Sequence, residues 1–147
     1  MEESDKYLHQ FVSLKTAVKD GKKAPHKAVL LLAIASMVKS GEITENHIVL
    51  SEPLVDCFNR IWKDRVPTSS PFSPKVTTPH WHMQNEPFYN LFFNDGTKVT
   101  PIDNPYSVSK LRKLVYAQLD EGLFTLLKDE AFYAEMEAVL TINYLEP

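Results

Sequence analysis

The sequence predicts an α+β fold: one mostly helical domain with a small antiparallel sheet of about three short strands. Three observations carry that prediction. Apolar residues recur at helical spacing through most of the chain. A proline-rich middle, with five of the ten prolines between Pro67 and Pro87, breaks the helical pattern. Short aromatic and β-branched runs flank the turn signal Asn94-Asp95-Gly96. A chain of 147 residues that is 44% hydrophobic fits a single domain spanning residues 1–147.

Tyr7, Leu8, Phe11, Leu14 and Val18 predict an amphipathic helix over 6–19, stopped by Asp20-Gly21. A basic loop, Lys22-Lys23, follows. Pro25 then precedes Ala28–Val38, which is apolar nearly all round and so predicts the central buried helix. Gly41 ends it. Residues 44–50 suggest a short strand. Ser51 is the expected N-cap of the next helix, with Pro53 in its first turn. Leu54, Val55, Phe58, Ile61 and Trp62 form the inward stripe of that helix. Three strands are expected next, over 80–84, 88–93 and 98–100. Ser107 is the expected cap of a helix over 108–119, with Leu111, Leu114 and Val115 inward. Residues 121–127 and 129–140 predict two closing helices.

Composition excludes several classes. A single cysteine, Cys57, rules out an internal disulfide and a Cys₂ zinc site. No apolar run approaches the 18 residues of a membrane span. The acidic start, Glu2-Glu3-Ser4-Asp5, is not a signal sequence, and a reducing, cytoplasmic setting is expected. Four glycines form neither phosphate-binding loop motif, so no cofactor is expected.

The net charge of −3 argues against a nucleic-acid partner only on average. Residues 1–80 carry a net +2, and residues 81–147 a net −5. Screening confines each charge to about 8–10 Å, so a local basic face can still meet phosphates.

No residue set spells a catalytic site. His80 and His82 would share one face of a strand, a spacing that metals use, but no rule selects a third ligand. Ordinary hydrogen-bonded histidines and no metal are the preferred reading. Cys57 reads as a small core residue. The strongest constellation is electrostatic. Lys22, Lys23, His26 and Lys27 crowd a helix N-terminus, where backbone N–H groups favour an anion. Arg60, Lys63 and Arg65 would extend that corner. A plain lysine-rich loop is the rival reading.

Three patches together resemble a known family. They are Lys23-Ala-Pro-His-Lys-Ala-Val-Leu-Leu-Leu32, Pro79-His-Trp-His-Met-Gln84 with Phe88-Tyr89, and Val115-Tyr-Ala-Gln-Leu-Asp-Glu121 with Leu126-Leu127. The chain resembles the N-terminal DNA-binding domain of bacterial HNH-type restriction endonucleases. That domain is similar to the sulfur-binding domain that recognises phosphorothioate-modified DNA. The resemblance runs from about Tyr7 to Tyr144. It implies double-stranded, phosphorothioate-modified DNA as partner, with a homodimer left open. It also implies that the chain is either the N-terminal part of a longer endonuclease, the preferred reading, or a stand-alone relative that has lost cleavage. It assigns the backbone grip to His26 and Lys27. It assigns the sulfur cavity to Pro79 beside Thr78, His80 and His82. Thr78 stands where the family often has an aromatic residue, and Ala28 where it has proline. The alternative is a protein-interaction or regulatory domain of a defence system, suggested by the acidic C-terminal part.

Overall fold

A computed structural model describes residues 2–99 and 115–145, apart from the side chains of Thr77 and Thr78. The elements run α1 (Glu3–Val12), β1 (Val18–Lys19), β2 (Lys22–Lys23), α2 (His26–Lys39), α3 (Glu52–Arg65) and α4 (Thr77–His82). A 3₁₀ turn (Met83–Asn85), β3 (Tyr89–Phe93), β4 (Val115–Leu119), α5 (Glu121–Leu126), α6 (Glu130–Leu140) and a π turn (Thr141–Leu145) complete the order.

The apolar helix α2 is the centre of the molecule. Every residue from Lys27 to Ala35 is buried, as are Met37 and Val38. Helices α3, α4 and α6 surround it. Fourteen residues make α2 about 21 Å long. Gly41, at φ +84°, takes the left-handed conformation expected after its end. The Ser51 hydroxyl accepts from Leu54 N–H at 3.3 Å and so caps α3, as the sequence indicated. The Asp129 carboxylate likewise caps α6 through Ala131 N–H at 2.8 Å.

Helix α1 is shorter than its apolar periodicity suggests. It stops at Val12 because Tyr144, far along the chain, meets its open carbonyls. The Tyr144 hydroxyl donates to the Phe11 carbonyl, lies 2.9 Å from the Val12 carbonyl, and accepts from Leu14 N–H at 2.9 Å. Leu14 stays buried without being helical. Asp20-Gly21 is not a helix stop but the centre of a hairpin joining β1 to β2. Both residues have positive φ, +55° and +74°, which defines a type I′ turn.

The second sheet pairs β3 with β4, antiparallel, with Leu91 opposite Ala117. Residues 80–84 are not a strand. They belong to α4 and the 3₁₀ turn, because Pro79 falls in the first helical turn, where a missing N–H costs nothing. The stretch 115–119 is not the end of a helix. Val115, Ala117 and Leu119 are buried, whereas Tyr116 is half-buried and Gln118 exposed, a two-residue alternation. The expected helix capped by Ser107, with Leu111 and Leu114, otherwise lies outside the described residues. Asn94-Asp95-Gly96 does turn the chain back. Lys98 forms one bridge to Phe92, and Thr100 lies outside the described residues. Ile48 adds a bridge to Ala117 on the far edge. Among the described residues, no helix is long and apolar enough to cross a membrane.

Candidate nucleic-acid interface

At the N-terminal end of α2, three segments meet around an open groove of about 510 Å³. Its apolar walls come from Ala17 before β1, Ala24 after β2, Phe72 in the proline-rich loop, and Pro79 in α4. His26, Lys27, His82 and Asn85 line its polar edge, and Lys15 and Thr16 complete it. A second groove of about 290 Å³ lies on the other side of Phe72. Lys22 and Lys23 line that one, against Pro67, Ser70 and Tyr144. The β1–β2 hairpin thus carries exposed cations beside the apolar groove.

Local chemistry revises several expected roles. His26 is the first residue of α2, and no side chain caps this helix. Its Nε2–H donates to the Ser73 carbonyl at 2.7 Å. Its ring lies 4.7 Å from Trp62 and 5.8 Å from Phe72, centre to centre. Burial lowers its pKa, against the Ser73 hydrogen bond, so His26 is a neutral anchor and not a cation. Lys27 is not a surface cation either. Its Nζ lies 2.7 Å from Glu86 Oε2, and both side chains are under 10% exposed. The same carboxylate oxygen accepts from Lys15 N–H at 2.9 Å. Removing one member alone would strand a buried charge, at a cost of about 3–5 kcal/mol.

His80 and His82 do not share a face. In a helix, two residues apart means about 200° of rotation. His82 is exposed at the groove, with its pKa lowered by partial burial and the Lys27 charge. His80 is fully buried behind the wall, where its Nδ1 meets the Tyr89 hydroxyl at 2.8 Å. Burial lowers its pKa to about 4 and raises that of Tyr89. His80 therefore supports Pro79 without lining the groove. Among the described residues, no three of His, Cys, Asp and Glu gather to hold a metal. Cys57 is buried, and burial raises its pKa, which leaves it a thiol.

Arg60, Lys63 and Arg65 line neither groove. Arg65 instead ties α3 to the C-terminal turn, 3.2 Å from Glu137 and donating to Thr141 at 2.8 Å. Ala17, Phe72, Asn85 and Glu86 carried no motif in the sequence. Folding brings the first three to the groove from separate segments and sets Glu86 against Lys27, so no spacing rule could select them.

The fold is that of sulfur-binding domains. The sulfur-binding domain of SprMcrA, solved in complex with phosphorothioated DNA, superposes with a TM-score of 0.71 at 15% identity. The match covers 99% of this chain and 87% of that one. The sulfur-binding domain of ScoMcrA, also complexed with phosphorothioated DNA, gives 0.68 at 16% identity over 94% and 86%. No protein-family model and no curated protein matches the sequence.

Proposed function

We propose that this chain is a DNA-recognition domain that binds phosphorothioate-modified duplex DNA at the groove beside Pro79. The observation that carries this reading is an apolar pocket, walled by Ala17, Ala24, Phe72 and Pro79, set beside a lysine-bearing hairpin. A phosphorothioate replaces one phosphate oxygen by a larger, softer and less hydrated sulfur. Apolar walls receive that atom without the desolvation cost of an oxygen. Lys19, Lys22 and Lys23 are exposed on the hairpin and supply the attraction to neighbouring phosphates. The likeness to domains complexed with phosphorothioated DNA supports the same reading.

In the family that the sequence motifs resemble, such a domain directs an HNH nuclease, and we extend that role to this chain. A cytoplasmic setting goes with it. The test is gel-shift affinity for a duplex with one phosphorothioate, compared with its unmodified twin. Tighter binding of the modified duplex is expected. Equal affinities would remove the modification reading, and no affinity for either at low salt would favour a protein-interaction domain instead.

A further inference from the structure

Glu86 belongs to none of the three motifs, yet it controls the charge at the polar edge of the groove. It is only 4% exposed. It holds Lys27 by a 2.7 Å ion pair and Lys15 by a backbone hydrogen bond. His26 is committed to Ser73 through Nε2–H. His82 faces the Lys27 charge, which opposes a second positive charge there. Lys15 is exposed and lines the groove, whereas Lys19, Lys22 and Lys23 stand outside it, on the hairpin.

We propose that Glu86 is a specificity-determining residue: by holding Lys27, it withholds one cation from the groove and so favours sulfur over phosphate oxygen. This inference rests on the DNA reading above. An ionic oxygen entering an apolar site gives up strong hydration and needs a cation or an N–H donor in exchange. A free Lys27 would supply that exchange, and any phosphate would then be accepted. With Lys27 held by Glu86, oxygen meets apolar walls with one cation fewer to compensate it. Sulfur loses less hydration and needs less in return. The hairpin lysines attract modified and unmodified backbones alike, so preference arises inside the groove.

The experiment measures Kd for the phosphorothioate duplex and its unmodified twin over a salt series. Wild type, Glu86→Gln, Glu86→Asp and the double variant Lys27→Met/Glu86→Gln are compared, with thermal unfolding followed for each. In Glu86→Gln the freed lysine gains a phosphate contact. Binding of the unmodified duplex should tighten about tenfold, and its log–log salt slope should steepen by about 0.9. The preference for sulfur should fall accordingly. Glu86→Asp, which keeps the carboxylate, should restore the preference. The double variant has no stranded charge, so it carries the test even where Glu86→Gln fails to fold. It should lose the added slope and keep the preference. A folded Glu86→Gln with unchanged preference, or a folded double variant without preference, overturns the role of Glu86. A wild-type protein that does not distinguish the two duplexes overturns the DNA-modification reading itself, and this inference with it.

Discussion

His80 Nδ1 and the Tyr89 hydroxyl lie 2.8 Å apart in the core, and both residues are fully buried. The bond joins α4 to β3 and fixes the helical turn that presents Pro79 to the groove. His80 Nε2 has no partner among the described residues. The imidazole is therefore anchored at one nitrogen only.

Tyr89→Phe removes that anchor and leaves a buried nitrogen unsatisfied. The expected cost is about 1–3 kcal/mol in urea unfolding. Phosphorothioate affinity should fall with it, because Pro79 loses its support. A variant with full stability would show that His80 finds another partner.

Acid should destabilise the fold through the same residue. The ordinary histidine pKa of 6.5 falls to about 4 in folded His80, because burial disfavours the charged ring. Below about pH 6.5 the unfolded chain binds a proton that the folded chain refuses. The stabilisation is complete above that pH and is lost as pH falls towards 4, by at most roughly 3 kcal/mol. His26 and His82, also lowered, act in the same direction. Urea unfolding at pH 7.5 and 4.5 measures the loss. His80→Gln should show a smaller difference between the two pH values than wild type.

Lys22 and Lys23 are exposed and assigned here to phosphates outside the groove. Each contact removed should flatten the log–log salt slope by about 0.9. Lys22→Ala/Lys23→Ala should therefore weaken modified and unmodified DNA equally, with a slope lower by nearly two. Arg65→Ala is the contrasting variant. Arg65 is paired to Glu137 and lines neither groove, so the slope should stay unchanged. Its stability should drop by no more than about 1 kcal/mol, since the pair is partly exposed. An unchanged slope in the lysine double variant would remove the hairpin from the interface.

Local signals made part of this fold legible. The all-apolar run after Pro25 gave the central helix, Ser51 its successor's cap, and the aromatic run before Asn94 gave β3. Failures came where a distant partner decided the outcome. Helix α1 ends early because a hydroxyl 132 residues away from Val12 meets its carbonyls. Val115–Leu119 satisfies both a helical and a strand pattern, and pairing with β3 decides between them. At the site, Pro79 was visible as a cavity wall through the resemblance, and His26 as part of a motif, but the neutral, anchored state of His26 was not. The carboxylate that neutralises Lys27 stands 59 residues further on. No local pattern distinguishes a lysine bound for solvent from one bound for a buried pair.

Ala17 offers the most direct test of the groove, because it can be enlarged without touching the core. It is exposed, it lines the apolar wall, and its carbonyl accepts from Ala24 N–H at 2.8 Å. That backbone bond is indifferent to side-chain identity. Ala17→Phe should therefore change stability by no more than about 0.5 kcal/mol, as exposed substitutions do. Its ring would occupy space that a sulfur atom must enter. Affinity for the phosphorothioate duplex should drop about tenfold or more, which is about 1.4 kcal/mol. Unmodified DNA, held by the hairpin lysines, should bind as before. Titration of both duplexes with the folded variant distinguishes the outcomes. If both affinities stay at wild-type values, sulfur does not enter between Ala17 and Pro79, and the recognition surface lies elsewhere on the basic face.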